Sequence, residues 1–85
     1  MDSNNQLTRL RTKRLAVLIV DARMYTQKSI DECAAAMGVS LKQYQLYEQG
    51  LDAPSIPEVE ALASFLDVPM AHFWGSQTLT QDNGE

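Results

Sequence analysis

Residues 34–50, AAAMGVSLKQYQLYEQG, decide how the rest of the chain is read. Three small residues, Ala34, Ala35 and Ala36, lead into Gly38, and Ser40 then opens a run with helical spacing. Glycine suits the left-handed conformation that ends a helix, and serine caps the start of the next one. Two short helices joined by Met37-Gly38-Val39-Ser40 must cross steeply, and a large side chain at position 34 would hold them apart. Ala34 permits the close crossing, Val39 plugs the corner, and Tyr44 and Tyr47, three apart, fall on the inner side of the second helix.

The outward positions of that second helix are then Leu41, Lys42, Gln43, Gln45, Leu46 and Gln49. This is helix-turn-helix geometry, in which the second helix projects from the body of the domain. Upstream, Leu7 to Met24 holds neither proline nor glycine, and Leu15, Leu18, Ile19 and Ala22 recur at the spacing of one helix face. A second apolar stripe, Leu10, Val17, Val20 and Met24, lies on the opposite side of this first helix. That stripe is a candidate dimer face; the alternative is coverage by the tail or the N-terminal residues.

Ser29-Ile30-Asp31-Glu32 forms a capping box that starts the second helix near Ile30. Ser40-Leu41-Lys42-Gln43 repeats the same logic, so the third helix spans residues 41–49, with Gly50 closing it. Ser55-Ile56-Pro57-Glu58 caps a fourth helix whose core face is Val59, Leu62, Ala63 and Leu66. Asp67-Val68-Pro69 breaks it, and Met70 to Trp74 predicts a short final helix with Phe73 turned to the core. The fold class is all-α, a compact bundle of four to five short helices forming one domain over residues 1–74, followed by a polar tail or linker at 75–85.

With 85 residues, the chain can bury one core and not two. Its net charge of −4 hides an asymmetry, because no lysine or arginine follows Lys42 while Glu48, Asp52, Glu58, Glu60, Asp67, Asp82 and Glu85 lie beyond it. Cys33 is the single cysteine, which rules out an internal disulfide and a multi-cysteine zinc site, and its place on an inward helix face fits a buried thiol. His72 is equally alone, so neither a metal nor a cofactor is expected, and no nucleophile and base arrangement suggests an enzyme. No run approaches the roughly 18 to 20 apolar residues that a membrane crossing needs, and the polar start lacks the order of a signal peptide. The expected compartment is the cytoplasm.

From about Leu15 to Phe73 the chain resembles the Cro/repressor-type helix-turn-helix domains of the XRE family. The resemblance rests on the Ala34, Gly38 and Val39 turn, on Ser40 and Tyr47-Glu48-Gln49-Gly50 bounding the third helix, and on Pro54-Ser55 with the core of the last helices. It implies a lambda-repressor-like bundle with the helix-turn-helix formed by helices 2 and 3. It further implies a sequence-specific DNA-binding domain of a transcriptional regulator, with double-stranded DNA as partner and residues 41–49 in the major groove. On that reading the contacts with DNA come from Ser29, Ile30, Ser40, Leu41, Lys42, Gln43, Gln45, Leu46 and Gln49. The side-chain types fit, since glutamine pairs with adenine, lysine reaches guanine or phosphate, and leucine covers a thymine methyl.

The resemblance also implies a structural ion pair between Arg23 and Glu48, and a homodimer, since such proteins commonly bind as two-fold pairs. Arg9, Arg11, Lys13, Arg14 and Lys28 are candidate phosphate contacts, with a merely solvated basic face as the alternative. A second functional reading uses Ile30, Leu41 and Leu46 as an apolar patch for a protein partner, as in RodZ-type membrane-anchored cytoskeletal proteins, which resemble this plan.

Overall fold

The computed structural model describes residues 2–73, with side chains from Gln6 onward. Among the described residues all regular structure is helical: α1 (Asp2–Tyr25), α2 (Ile30–Met37), α3 (Leu41–Gln49) and α4 (Ile56–Leu66). A further helical turn occupies residues 71–73. Trp74 and the proposed tail at 75–85 lie outside the described residues.

The sequence places the start of α1 at Leu7, whereas the structure carries the helix back to Asp2. Nothing in Ser3-Asn4-Asn5-Gln6 breaks a helix, and an acidic residue at the positive end of the helix dipole favours the earlier start. The three interhelical junctions then follow the local signals closely. Ser29 and Ser55 both sit in complete capping boxes, and Ser40 caps α3 through its hydroxyl, which accepts from the Gln43 amide at 3.0 Å.

Each of α1 to α4 ends in the same way, with one residue in the left-handed region. Gly38 and Gly50 fill that place after α2 and α3 with φ of 73° and 74°, whereas Gln27 and Asp67 do so after α1 and α4 with φ of 60° and 59°. At each junction the next amide reaches back five residues, as in Val39 N to Ala34 O and Leu51 N to Leu46 O. The two glycines differ in what surrounds them. A Cβ at Gly38 would meet nothing within 4 Å, but at Gly50 it would lie 3.2 Å from Lys13 Cγ and 3.3 Å from Lys13 Cα. Gly50 therefore also sets how closely the end of α3 approaches α1.

The core joins Ile19 and Ala22 of α1, Cys33, Ala34 and Met37 of α2, Tyr44 and Tyr47 of α3, the Val59, Leu62, Ala63 and Leu66 face of α4, and Phe73. α2 packs against both α3 and α4, and α1 packs against α3. Ala34 is buried in that core. Ala16, absent from the sequence reading of the core, is also buried, since its Cβ faces Gly50. Leu15 and Leu18, read as core, are only partly buried and pack at its edge.

Candidate nucleic-acid interface

The inner face of α3 is fixed through Tyr44, Tyr47 and Glu48 by polar contacts that are mostly shielded from water. Arg23 of α1 donates from Nε to Glu48 Oε2 at 2.6 Å and from a terminal nitrogen to Glu48 Oε1 at 3.2 Å, a two-pronged pairing. The Arg23 side chain is 17% exposed and that of Glu48 12%. The Tyr44 hydroxyl donates to the same Glu48 Oε2 at 2.6 Å, and the guanidinium also donates to the Lys28 carbonyl at 3.1 Å. One carboxylate thus ties α3 to α1 and, through Arg23, to the loop before α2.

The hydrogen bond to Glu48 holds the Arg23 guanidinium more firmly protonated than usual. Burial, helped by the bond to Glu48, pushes the Tyr44 phenol well above its ordinary range. Nearer the start of α4, the Tyr47 hydroxyl donates to Glu58 Oε1 at 2.7 Å, the oxygen that also accepts the Ser55 amide in the α4 capping box. Burial first and that hydrogen bond second raise the Tyr47 phenol to about 12. The inner face of α3 is a scaffold of neutral tyrosines on bound carboxylates.

With that face held, Leu41, Lys42, Gln45 and Gln49 stand exposed on the other side of α3. Gln43 and Leu46, read as outward, are half-buried instead. Gln43 does not turn back to complete a capping box with Ser40. Its Nε2 donates to Asp52 Oδ2 at 2.7 Å, while Asp52 Oδ1 accepts the Ala53 amide at 2.9 Å. An ionised carboxylate only accepts, so the Gln43 amide nitrogen faces the loop. Asp52, which by charge alone would repel a phosphate, has a structural use in bracing the α3–α4 loop against α3.

At the start of α2, the Ser29 amide donates to Glu32 Oε1 at 2.9 Å and the Glu32 amide to Ser29 Oγ at 3.0 Å. The Ser29 amide bond holds the Glu32 carboxyl below its usual range. Ile30 and Asp31 keep amides without an intrahelical acceptor, the usual condition of a first turn. Four cations, Arg9, Arg11, Lys13 and Arg14, lie exposed on α1, and a shallow surface depression brings Thr8, Arg9 and Thr12 beside Gly50 to Ala53. Lys28 is placed differently: it is half-buried, with its ammonium 5.3 Å from the centre of the Phe65 ring.

The apolar patch read from Ile30, Leu41 and Leu46 is only partly exposed. Ile30 packs against the core, Leu46 is half-buried, and of the three only Leu41 is exposed. The second stripe of α1 stays open among the described residues, with Leu10, Val17 and Met24 exposed and Val20 half-buried. Cys33 is fully buried and its thiol is pushed up by that burial. His72 uses Nε2 on the Leu18 carbonyl at 3.0 Å. Among the described residues no group of three potential ligands could hold a metal ion, and no helix is long and apolar enough to cross a membrane.

The sequence profile described as helix-turn-helix matches residues 19–73, the segment from the last third of α1 to Phe73. The chain belongs to the helix-turn-helix family. The Cro/repressor-type resemblance is of this kind, and α2 and α3 are the two helices of the motif. Among curated proteins the chain is similar to the cryptic phage CTXphi transcriptional repressor RstR of Vibrio cholerae, with 38% identity over 53 residues. That stretch is 62% of this chain and 48% of the repressor, so the chain spans about half the length of the curated relative it matches. No solved structure matches it significantly.

Proposed function

We propose that this helix-turn-helix domain is the sequence-specific double-stranded DNA-binding part of a transcriptional regulator, with α3 in the major groove. The observation that carries the reading is the two-sidedness of α3. Tyr44, Tyr47 and Glu48 lock one side to α1 and α4, while Leu41, Lys42, Gln45 and Gln49 stand free on the other. Such a helix presents base-reading side chains without loosening the domain. The similar phage protein is a transcriptional repressor, which points the same way.

Base contacts belong on this reading to Leu41, Lys42, Gln45 and Gln49, with Ser29, Ile30, Ser40, Gln43 and Leu46 at the edges of the footprint. Phosphate attraction falls to Arg9, Arg11 and Lys13 of α1, Arg9 above all because it sits beside the loop that follows α3. Lys28 is a weaker candidate, since its ammonium is engaged by Phe65. The domain acts by occupying a site and not by catalysis, in the cytoplasm where bacterial DNA lies, and two copies bind together. The protein-contact alternative has less support, because of its three apolar residues only Leu41 is exposed.

Binding to duplex DNA across a salt series tests the proposal. A specific reader selects one sequence from a randomised pool, and its affinity falls steeply with salt as phosphate contacts release counterions. Absence of binding at low salt would refute it.

A further inference from the structure

The side of α1 turned away from the core repeats every seven residues. Leu10, Val17 and Met24 stand at that interval and are 65%, 62% and 63% exposed, whereas Ile19 and Ala22 on the opposite side are buried. Arg14 and Asp21, both exposed, fall between them, so that steps of four and three alternate along one stripe. Alternating steps of that kind form the seam by which two helices pair. Leu10, Arg14 and Val17 also precede the segment, residues 19–73, that the family profile covers, so most of this seam is additional to the shared motif.

Charge selects both the occupant and its direction. Two copies laid parallel would set Arg14 against Arg14 and Asp21 against Asp21. Laid antiparallel about a two-fold axis through Val17, they set Arg14 opposite the partner's Asp21 and Leu10 opposite the partner's Met24, with Val17 meeting its own copy. On a helical wheel Arg14 and Asp21 lie on the same side of Val17, and a two-fold keeps them on that side, at nearly the same height. We propose that two copies of this chain associate through antiparallel α1 helices crossing at Val17, with a reciprocal pair of Arg14–Asp21 contacts closing the interface. Such a contact is isologous and therefore stops at two copies. It extends the self-association included in the functional reading and does not rest on DNA recognition.

Sedimentation equilibrium of the full chain without DNA tests it. The unaltered chain dimerises with concentration; Arg14→Asp or Asp21→Arg alone raises the dimer Kd about tenfold or more, because each breaks both contacts and opposes like charges. The combined Arg14→Asp, Asp21→Arg chain, with the charges exchanged, returns to within about threefold of the original. In oxidising buffer Val17→Cys links to itself, whereas Leu10→Cys links only when mixed with Met24→Cys; Cys33, being buried, stays silent. All these positions are exposed, and a thermal melt of each variant checks that the fold is kept. A monomer at every concentration would overturn the proposal, whether solvent, residues 75–85 or another protein then covers the seam. Self-linking of Leu10→Cys, or failure of the exchanged charges to restore association, would overturn it as well.

Discussion

The two sides of α3 are built on opposite principles. The inner side spends its polar groups on one another: Arg23, Tyr44 and Glu48 form one cluster, and Tyr47 with Glu58 forms a second that merges with the α4 cap. The outer side keeps Lys42, Gln45 and Gln49 exposed. A helix of nine residues has little stability of its own. The difference teaches that the inner side supplies the rigidity that lets the outer side stay available to a ligand.

Glu48→Ala is the strongest way to break this arrangement. It leaves the Arg23 guanidinium without its carboxylate partner in a site 17% exposed and takes the acceptor from the Tyr44 hydroxyl. The expected cost is about 3 to 5 kcal/mol, a large part of what holds so small a domain, seen as a loss of the folded baseline in chemical denaturation. Arg23→Ala, which strands Glu48 instead, belongs in the same range.

The two glycines sharpen the comparison at a smaller scale. Gly50→Ala combines a left-handed backbone with contacts of 3.2 and 3.3 Å to Lys13, so it should cost about 2 to 3 kcal/mol. Gly38→Ala meets open space and should cost only about 1 kcal/mol. Urea denaturation of the two variants side by side measures the gap, which reports how closely α1 presses on the end of α3.

Alkaline titration probes the inner side without a mutation. A Tyr47 phenol raised from 10 to about 12 by folding resists ionisation in the folded chain and ionises earlier in the unfolded one. Its contribution to stability is therefore fully present below about pH 10 and is lost as pH rises toward 12. Tyr44, shifted further in the same direction, adds to the same slope. Tyr47→Phe should flatten that part of the stability profile followed by denaturation at successive pH values.

Much of the fold was legible in the sequence because its signals are local. Ser29, Ser40 and Ser55 mark helix starts, Gly38 and Gly50 mark helix ends, and Ala34 with Tyr44 and Tyr47 marks the inner side of the crossing. The all-helical class and the family both follow from such features. What escaped depends on residues brought together only by the tertiary fold. Gln43 looked free until Asp52, nine residues on, was seen to hold its amide. Lys28 is a candidate phosphate contact by its charge, and only the tertiary fold sets its ammonium over the Phe65 ring; Gly50 looked like a simple helix stop until Lys13 and Ala16 were found against it.

Helical periodicity likewise ranked Leu46 as outward, but a 100° step cannot say how far a neighbouring helix overhangs a side chain at the margin. The Tyr44–Glu48 bond had a usable signal in the spacing of four between donor and acceptor on one helix. The bond from Tyr47 to Glu58 had none, since it bridges α3 and the α4 cap.

The most direct test compares the unaltered chain with Lys42→Ala, Gln45→Ala on one selected duplex, alongside a thermal melt of both. Specific affinity should fall about tenfold or more, toward that for an unrelated duplex, while the melts coincide, because both side chains are exposed. Equal affinity of the two chains for the selected duplex would contradict the claim that the outer side of α3 reads DNA.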